Sequence, residues 1–194
     1  MKLARINTLL VIAIVAVNIY IVLSPLAPAV GFWFQHRSGE KSQALTKTLH
    51  APVASSSNTV YATESHLIVP SMQLDQQIHE GKDMSVLNKG IWLRPNTSTP
   101  DKGGNTVIVG HRFTYTNPKG TFYELNRVQI GDEIGIFWDG KRYIYKVSES
   151  KTVKADAISV EAQTEKPRLT LYTCTPLWLP KDRLVIVADL VEQP

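Results

Sequence analysis

The sequence predicts a mainly-β domain, a closed or nearly closed barrel with few short helices, set behind one amino-terminal transmembrane helix. Three observations carry this prediction. Short strand-like runs separated by turn residues recur from about Tyr61 onward. Asp139-Gly140 stands between two such runs, and this dipeptide suits the positive φ angles of a tight hairpin. From Thr8 to Leu23 the chain is nearly all apolar, interrupted only by Asn18 and Tyr20.

Residues 1–7 are a short basic start with Lys2 and Arg5, expected on the cytoplasmic side. Residues 8–34 are expected to be a signal anchor. The apolar stretch ends in Phe32-Trp33-Phe34, an aromatic cluster suited to a membrane interface. A cleaved signal peptide is the competing reading, with Ala27-Pro28-Ala29 as its processing site. The anchor is favoured because the stretch is long for a signal peptide and continues past that site. The folded domain follows the anchor, and long domains cross largely regardless of flanking charge. The expected localisation is therefore the cell membrane, single-pass, with the domain outside. Residues 35–60 are rich in Ser, Thr, Ala, Gln and Lys and read as a flexible spacer.

Residues 61–194 form the expected domain. His66–Pro70 and Met72–Asp75 read as short strands near a proline-limited edge. Thr106–Gly110 is a continuous apolar run, suited to a strand buried on both faces. Ile130–Trp138 and Arg142–Val147 flank the Asp-Gly turn. Arg168–Thr173 alternates, and Leu184–Leu190 reads as another buried strand. Short helices are expected at Met84–Asn88 and Phe122–Leu125.

The chain has 194 residues and a formal charge of +4. The first 59 hold five of the 21 basic and one of the 17 acidic residues, which leaves 16 of each in the domain. The excess charge therefore belongs to the membrane-flanking region and argues for no nucleic-acid surface. One cysteine allows no internal disulfide.

That cysteine, Cys174, closes an alternating strand, Leu169-Thr170-Leu171-Tyr172-Thr173-Cys174, ahead of Thr175-Pro176. Exported proteins usually pair their cysteines, so a lone one outside the cytoplasm points to nucleophilic catalysis. The competing reading is a buried thiol used as a small hydrophobe. His111 follows the buried strand that ends at Gly110, and Arg183 opens the last long strand. Strand ends of a barrel converge on a rim, so the three can share one site. Histidine then serves as general acid and base, and arginine as an oxyanion partner. The bland alternatives are a loop hydrogen bond for His111 and a surface pair with Asp182 or Asp189 for Arg183. Arg112 is a rival to Arg183 on position alone.

The arrangement resembles the sortase family of membrane-anchored cysteine transpeptidases over essentially all of residues 66–191. Leu67–Gly81 looks like the family's first two strands. Gly104-Asn105-Thr106-Val107-Ile108-Val109-Gly110-His111-Arg112 resembles the segment leading to the family's histidine. Phe122–Leu125 and Gly131–Ile134 match the next stretch. Leu169-Thr170-Leu171-Tyr172-Thr173-Cys174 fits the TLxTC signature, and Arg183 falls where the family's arginine is expected. The resemblance implies an eight-stranded sortase β-barrel with catalytic Cys174, His111 and Arg183. It implies cleavage of an LPxTG-like sorting signal through a thioacyl intermediate. Transfer would go to an amine acceptor, either a peptidoglycan precursor or a pilin lysine. Segment Lys151–Lys166 lies where the family carries a variable specificity loop, so Ile158 and Val160 are candidate substrate contacts. Thr173 and Thr175, flanking the cysteine, are further candidates. The scattered acidic residues assign no calcium site, and no cofactor is expected.

The chain lacks the Asp-Pro-Trp or Asp-Pro-Phe lid of many pilin-polymerising members. Thr175-Pro176 nevertheless looks closer to pilin-type or small related classes than to the housekeeping class. Two other functions compete: an extracellular cysteine endopeptidase, and a catalytically silent surface barrel used as a scaffold.

Overall fold

In the structure, a computed structural model, Asp139 and Gly140 take positive φ angles of 53° and 71°, and Trp138 pairs with Lys141. That is the left-handed pair a two-residue hairpin turn requires. It joins β5 (Glu133–Trp138) to β6 (Lys141–Lys154). The structure describes residues 2–24, 30–31, 39–51, 60–114, 121–177 and 179–194. The Ala27-Pro28-Ala29 and Phe32-Trp33-Phe34 segments, and Trp178, lie outside the described residues.

Eight strands close a barrel in the order β1-β2-β3-β4-β7-β8-β6-β5. The others are β1 (His66–Val69), β2 (Leu74–His79), β3 (Ile91–Leu93), β4 (Asn105–Val109), β7 (Arg168–Thr175) and β8 (Asp182–Glu192). The eight-stranded sortase-type barrel implied by the resemblance is thus what the chain forms, with short 3₁₀ turns and an apolar amino-terminal helix around it. Inside, Leu67, Ile108, Ile136, Leu169, Leu171 and Ile186 belong to one buried core.

Four details differ from expectation, the first being the short helix expected at Phe122–Leu125, where the chain makes a turn and a 3₁₀ helix spans Leu125–Arg127 instead. Met72 and Gln73 are not strand. Pro70–Met72 is a 3₁₀ turn, and Gln73 at φ 53° reverses the chain into β2. β6 runs to Lys154, well past Val147. Its outer half is exposed and polar, so pairing with β8 holds it rather than burial. Register shifts beside Tyr145 and Glu149 let it leave β5 and follow β8. β3 is three residues long and carries no period to read.

The apolar helix α1 spans Lys2–Leu23, beginning before Thr8. Its stretch Arg5–Leu23, 19 residues, is long and apolar enough to cross a membrane by length and composition. The amide of Asn18 donates to the Ile14 carbonyl at 2.8 Å, which satisfies its N–H within the helix.

The expected spacer is not all spacer, because Glu40–His50 forms a second helix, α2. Leu45 and Leu49, four residues apart on one face, are buried with Ile68, Phe137 and Tyr61 on the outside of β1 and β5. Leu49 is fully buried because β5 offers it Gly135. A Cβ there would lie 2.1 Å from Leu49 Cδ2. A further short helix, α3 (Val60–Thr63), carries Tyr61, which stacks on Phe137 at 4.4 Å and donates to Asp75 Oδ2 at 2.6 Å. His50 also meets Glu133 at 2.8 Å.

Candidate active site

β4 and β7 run parallel with Val109 beside Tyr172, and the Gly110 N–H continues the ladder to the Tyr172 carbonyl at 3.4 Å. The chain then leaves the sheet at His111. Gly110 is needed here because a Cβ would meet the Phe122 ring at 3.0 Å. The Phe122 N–H donates to the His111 carbonyl at 3.0 Å, and the buried Thr173 hydroxyl donates to the Gly110 carbonyl at 2.8 Å. These contacts hold the backbone on both sides of the imidazole.

Alternation along β7 sends Leu169 and Leu171 into the core and leaves Tyr172 and Cys174 on the outer face. β8 runs antiparallel with Arg183 directly opposite Cys174. Opposed residues of such a pair stand about 4.5–5.5 Å apart at Cα. His111, Cys174 and Arg183 line one cleft of about 260 Å³ on the outside of the β4–β7–β8 wall. The expectation of a shared site is met in placement, but on the outer wall near strand ends rather than on the barrel rim. In the closed strand order, β1 and β5 under α2 lie opposite β4 and β7.

The Cys174 thiol is free and half-buried. Burial alone pushes the His111 pKa below its ordinary value, so neutral imidazole is favoured near neutral pH. Arg183 forms no ion pair among the described residues. Its Nη1 donates to the Asp182 carbonyl at 3.1 Å, while Lys154 meets Asp182 and Arg168 meets Asp189. Arg112, its positional rival, is committed elsewhere. Its Nη1 donates to Thr175 Oγ1 at 2.8 Å and its Nη2 to Asn126 Oδ1 at 3.1 Å, which joins the segment after His111 to the residue after Cys174.

Of the candidate substrate contacts, Ile158 and Val160 line the cleft on a 3₁₀ turn, Ile158–Glu161. Thr173 also lines it but is buried with its hydroxyl on Gly110. Thr175 does not line it and accepts from Arg112. The variable segment begins after Lys154 rather than at Lys151, because residues 151–154 belong to β6. The Asn105 amide fastens its middle, donating to the Val160 and Ala162 carbonyls at 3.1 and 3.0 Å.

Sequence reasoning missed a polar group in the same cleft. Arg94 makes a two-pronged pair with Glu161, Nε to Oε1 at 2.8 Å and Nη2 to Oε2 at 3.2 Å. The Tyr172 hydroxyl also donates to Glu161, and Arg94 lies over the Trp92 ring at 4.6 Å. Trp92 itself is buried and donates to the Gly81 carbonyl at 3.0 Å, so it both packs and borders the cleft. Hydrogen bonding to Glu161 raises the Arg94 pKa, and burial followed by the Glu161 contact raises that of Tyr172. Strand alternation already put Tyr172 on the face of Cys174, but nothing local paired residues 67 apart. Among the described residues no cluster of three His, Cys, Asp or Glu side chains could hold a metal.

The family model for the sortase domain matches residues 67–191. The chain is similar to sortase D of Bacillus subtilis, 28% identical over 146 residues, covering 73% of this chain and 68% of that protein. It is similar to sortase SrtE1 of Streptomyces coelicolor, 31% identical over 143 residues. That match covers 66% of this chain and only 40% of SrtE1, so this chain spans under half of that relative. Among solved structures, sortase A of Listeria monocytogenes superposes with a TM-score of 0.60 at 26% identity, covering 68% of this chain and 89% of that one.

Proposed function

The chain belongs to the sortase family, whose members are cysteine transpeptidases, and from that premise we propose that it is a membrane-anchored sortase of the cell surface with Cys174, His111 and Arg183 as its catalytic residues. The observation that carries the assignment is their common cleft. Cys174 gives its proton to His111, and the sulfur attacks the carbonyl of an LPxTG-like signal at its threonine. Arg183, unpaired with any carboxylate among the described residues, stabilises the tetrahedral oxyanion. The C–N bond breaks as His111 returns the proton to the leaving amine, which leaves a thioester. An incoming amine then loses its proton to His111, forms the new amide and releases the thiolate. Each step exchanges one acyl bond for another, so no ATP is required.

The anchor is assigned to α1, with the amino terminus inside and the barrel outside. The amine is a cell-wall precursor or a pilin lysine. Ile158 and Val160 contact the signal. What supports these assignments is the apolar length of α1 and the position of the Ile158–Glu161 turn on the cleft.

The test uses the full chain with an LPxTG-type fluorogenic peptide library, with and without an amine acceptor, against Cys174→Ala. Amine-dependent product that disappears in the variant is expected. Cleavage with no amine incorporated would identify an endopeptidase instead. No turnover by folded protein across the library would leave either an unusual sorting signal or a silent scaffold.

A further inference from the structure

Beyond Val147, β6 pairs with β8 and with no other strand among the described residues. Its ladder with β5 ends at Lys146, and the Asp132 carbonyl and the Gly131 N–H take up the backbone of Val147. From Ser148 to Val153 the far side of the strand is open among the described residues. A barrel whose body is closed thus carries a free strand edge, with every second residue turning an N–H and a C=O outward. The edge belongs to the sheet that holds the site. Val153 lies opposite Arg183, and Arg183 opposite Cys174, so the three share one face.

We propose that this edge is a self-pairing surface, which joins two copies of the chain antiparallel about a two-fold axis at Ser150. Outward groups alternate along the edge, so only registers that set a residue opposite itself match donors to acceptors. Centred on Glu149 or on Lys151, the copies set like charges directly opposite, which is destabilising. Centred on Thr152 or Val153, they oppose no acid to a base. Centred on Ser150, Glu149 faces the partner's Lys151, Lys151 faces the partner's Glu149, and Ser148 faces the partner's Thr152. Glu149 and Lys151 meet each other at 2.9 Å within the chain and keep 50% and 41% of their side-chain surface exposed, so they can exchange partners. Charges and a bulge on an edge ordinarily keep other strands away. Here the charges admit a second copy in one register. The overlap, Ser148–Thr152 on each copy, falls short of the roughly 1,000 Å² that a stable interface buries. Two chains anchored in one membrane are held at high effective concentration, where so short a ladder suffices. The two-fold stands perpendicular to the sheet, so both clefts open on the same side.

The inference rests on the anchor reading for that concentration, and not on the catalytic one. Full-length chain carrying Cys174→Ala is placed in phosphatidylcholine vesicles, and single cysteines are added for oxidative cross-linking. Ser150→Cys should cross-link to itself, since opposed Cα atoms about 4.5–5.5 Å apart suit a disulfide. Ser148→Cys or Thr152→Cys alone should stay unlinked, because the two copies of either stand roughly 13 Å apart. The two mixed should cross-link to each other. Adding Glu149→Lys to Ser150→Cys should cut its cross-link about tenfold, and adding Lys151→Glu as well should restore it. Equal cross-linking at all three positions marks random collision and overturns the proposal. A Ser150→Cys cross-link indifferent to Glu149→Lys, or no cross-link on vesicles that carry the chain, overturns it too. Vesicle flotation reports the anchor separately. If the chain does not float, the anchor reading fails, and the same pattern of positions at high concentration in solution upholds or overturns the pairing by itself.

Discussion

His111 joins a catalytic expectation to a measurable physical one. Its pKa lies below the ordinary value because burial penalises the imidazolium. Above about pH 6.5 it is neutral both folded and unfolded, and its contribution to stability is level. As pH falls below that, the unfolded chain takes the proton first, so stability is lost until the lower folded pKa is passed. Thermal unfolding of wild type and His111→Gln across this range should show the wild type losing ground on the acid side only. The acid limb of the rate profile should likewise fall below pH 6.5. Thr175→Val tests a neighbour. It strands Arg112 Nη1, loosens the link between the segments that carry His111 and Cys174, and should lower stability by about 1–3 kcal/mol. It should also depress kcat more than it raises KM. At this scale the candidates His111, Cys174 and Arg183 were marked by strand-end position, chemistry and the family resemblance together, and the structure brings the three to one cleft. Arg94 and Glu161 were not, since their meaning lies in a contact across 67 residues. Arg112 was ambiguous until its guanidinium was seen on Thr175 and Asn126.

Among the elements, those that announced themselves had a local cause. Asp139-Gly140 forced a hairpin, and the apolar run before Gly110 had to be a strand with both faces covered. Those that did not have their cause elsewhere in the chain. The outer half of β6 is strand because β8 pairs with it, not because its side chains alternate. α2 shows only two leucines in a polar stretch, and the hollow that receives Leu49 is a glycine 86 residues away. Leu49→Ala should cost about 2–5 kcal/mol of docking, since Leu49 is fully buried. Gly135→Val should displace the helix outright by filling its hollow. Hydrogen exchange on α2 checks both. The amides of Glu40–His50 should lose protection in each variant while β4, β7 and β8 keep theirs.

Across the whole molecule, the barrel separates two jobs onto opposite walls. His111, Cys174, Arg183 and their cleft occupy the β4–β7–β8 side, and α2 and Tyr61 cover the β1–β5 side. The closed eight-stranded order was legible only through family resemblance. Individual strands could be read as runs, but their neighbours could not, because pairing such as β4 with β7 joins segments some 60 residues apart. The seat of Leu49 on Gly135 has a further consequence under the proposed anchor. With α2 docked, fifteen residue steps separate Ser24 from Gly39, a covalent reach of at most about 50 Å. With α2 released, thirty-six residue steps separate Ser24 from Val60, and the covalent limit rises to about 120 Å. For a flexible tether the local concentration of cleft near membrane-held targets would drop roughly fourfold, as the −3/2 power of its length. In vesicles carrying both, Leu49→Ala should process an anchored target several-fold more slowly while a soluble peptide is turned over as before. One leucine in one glycine hollow then governs how often cleft and target meet, without touching either.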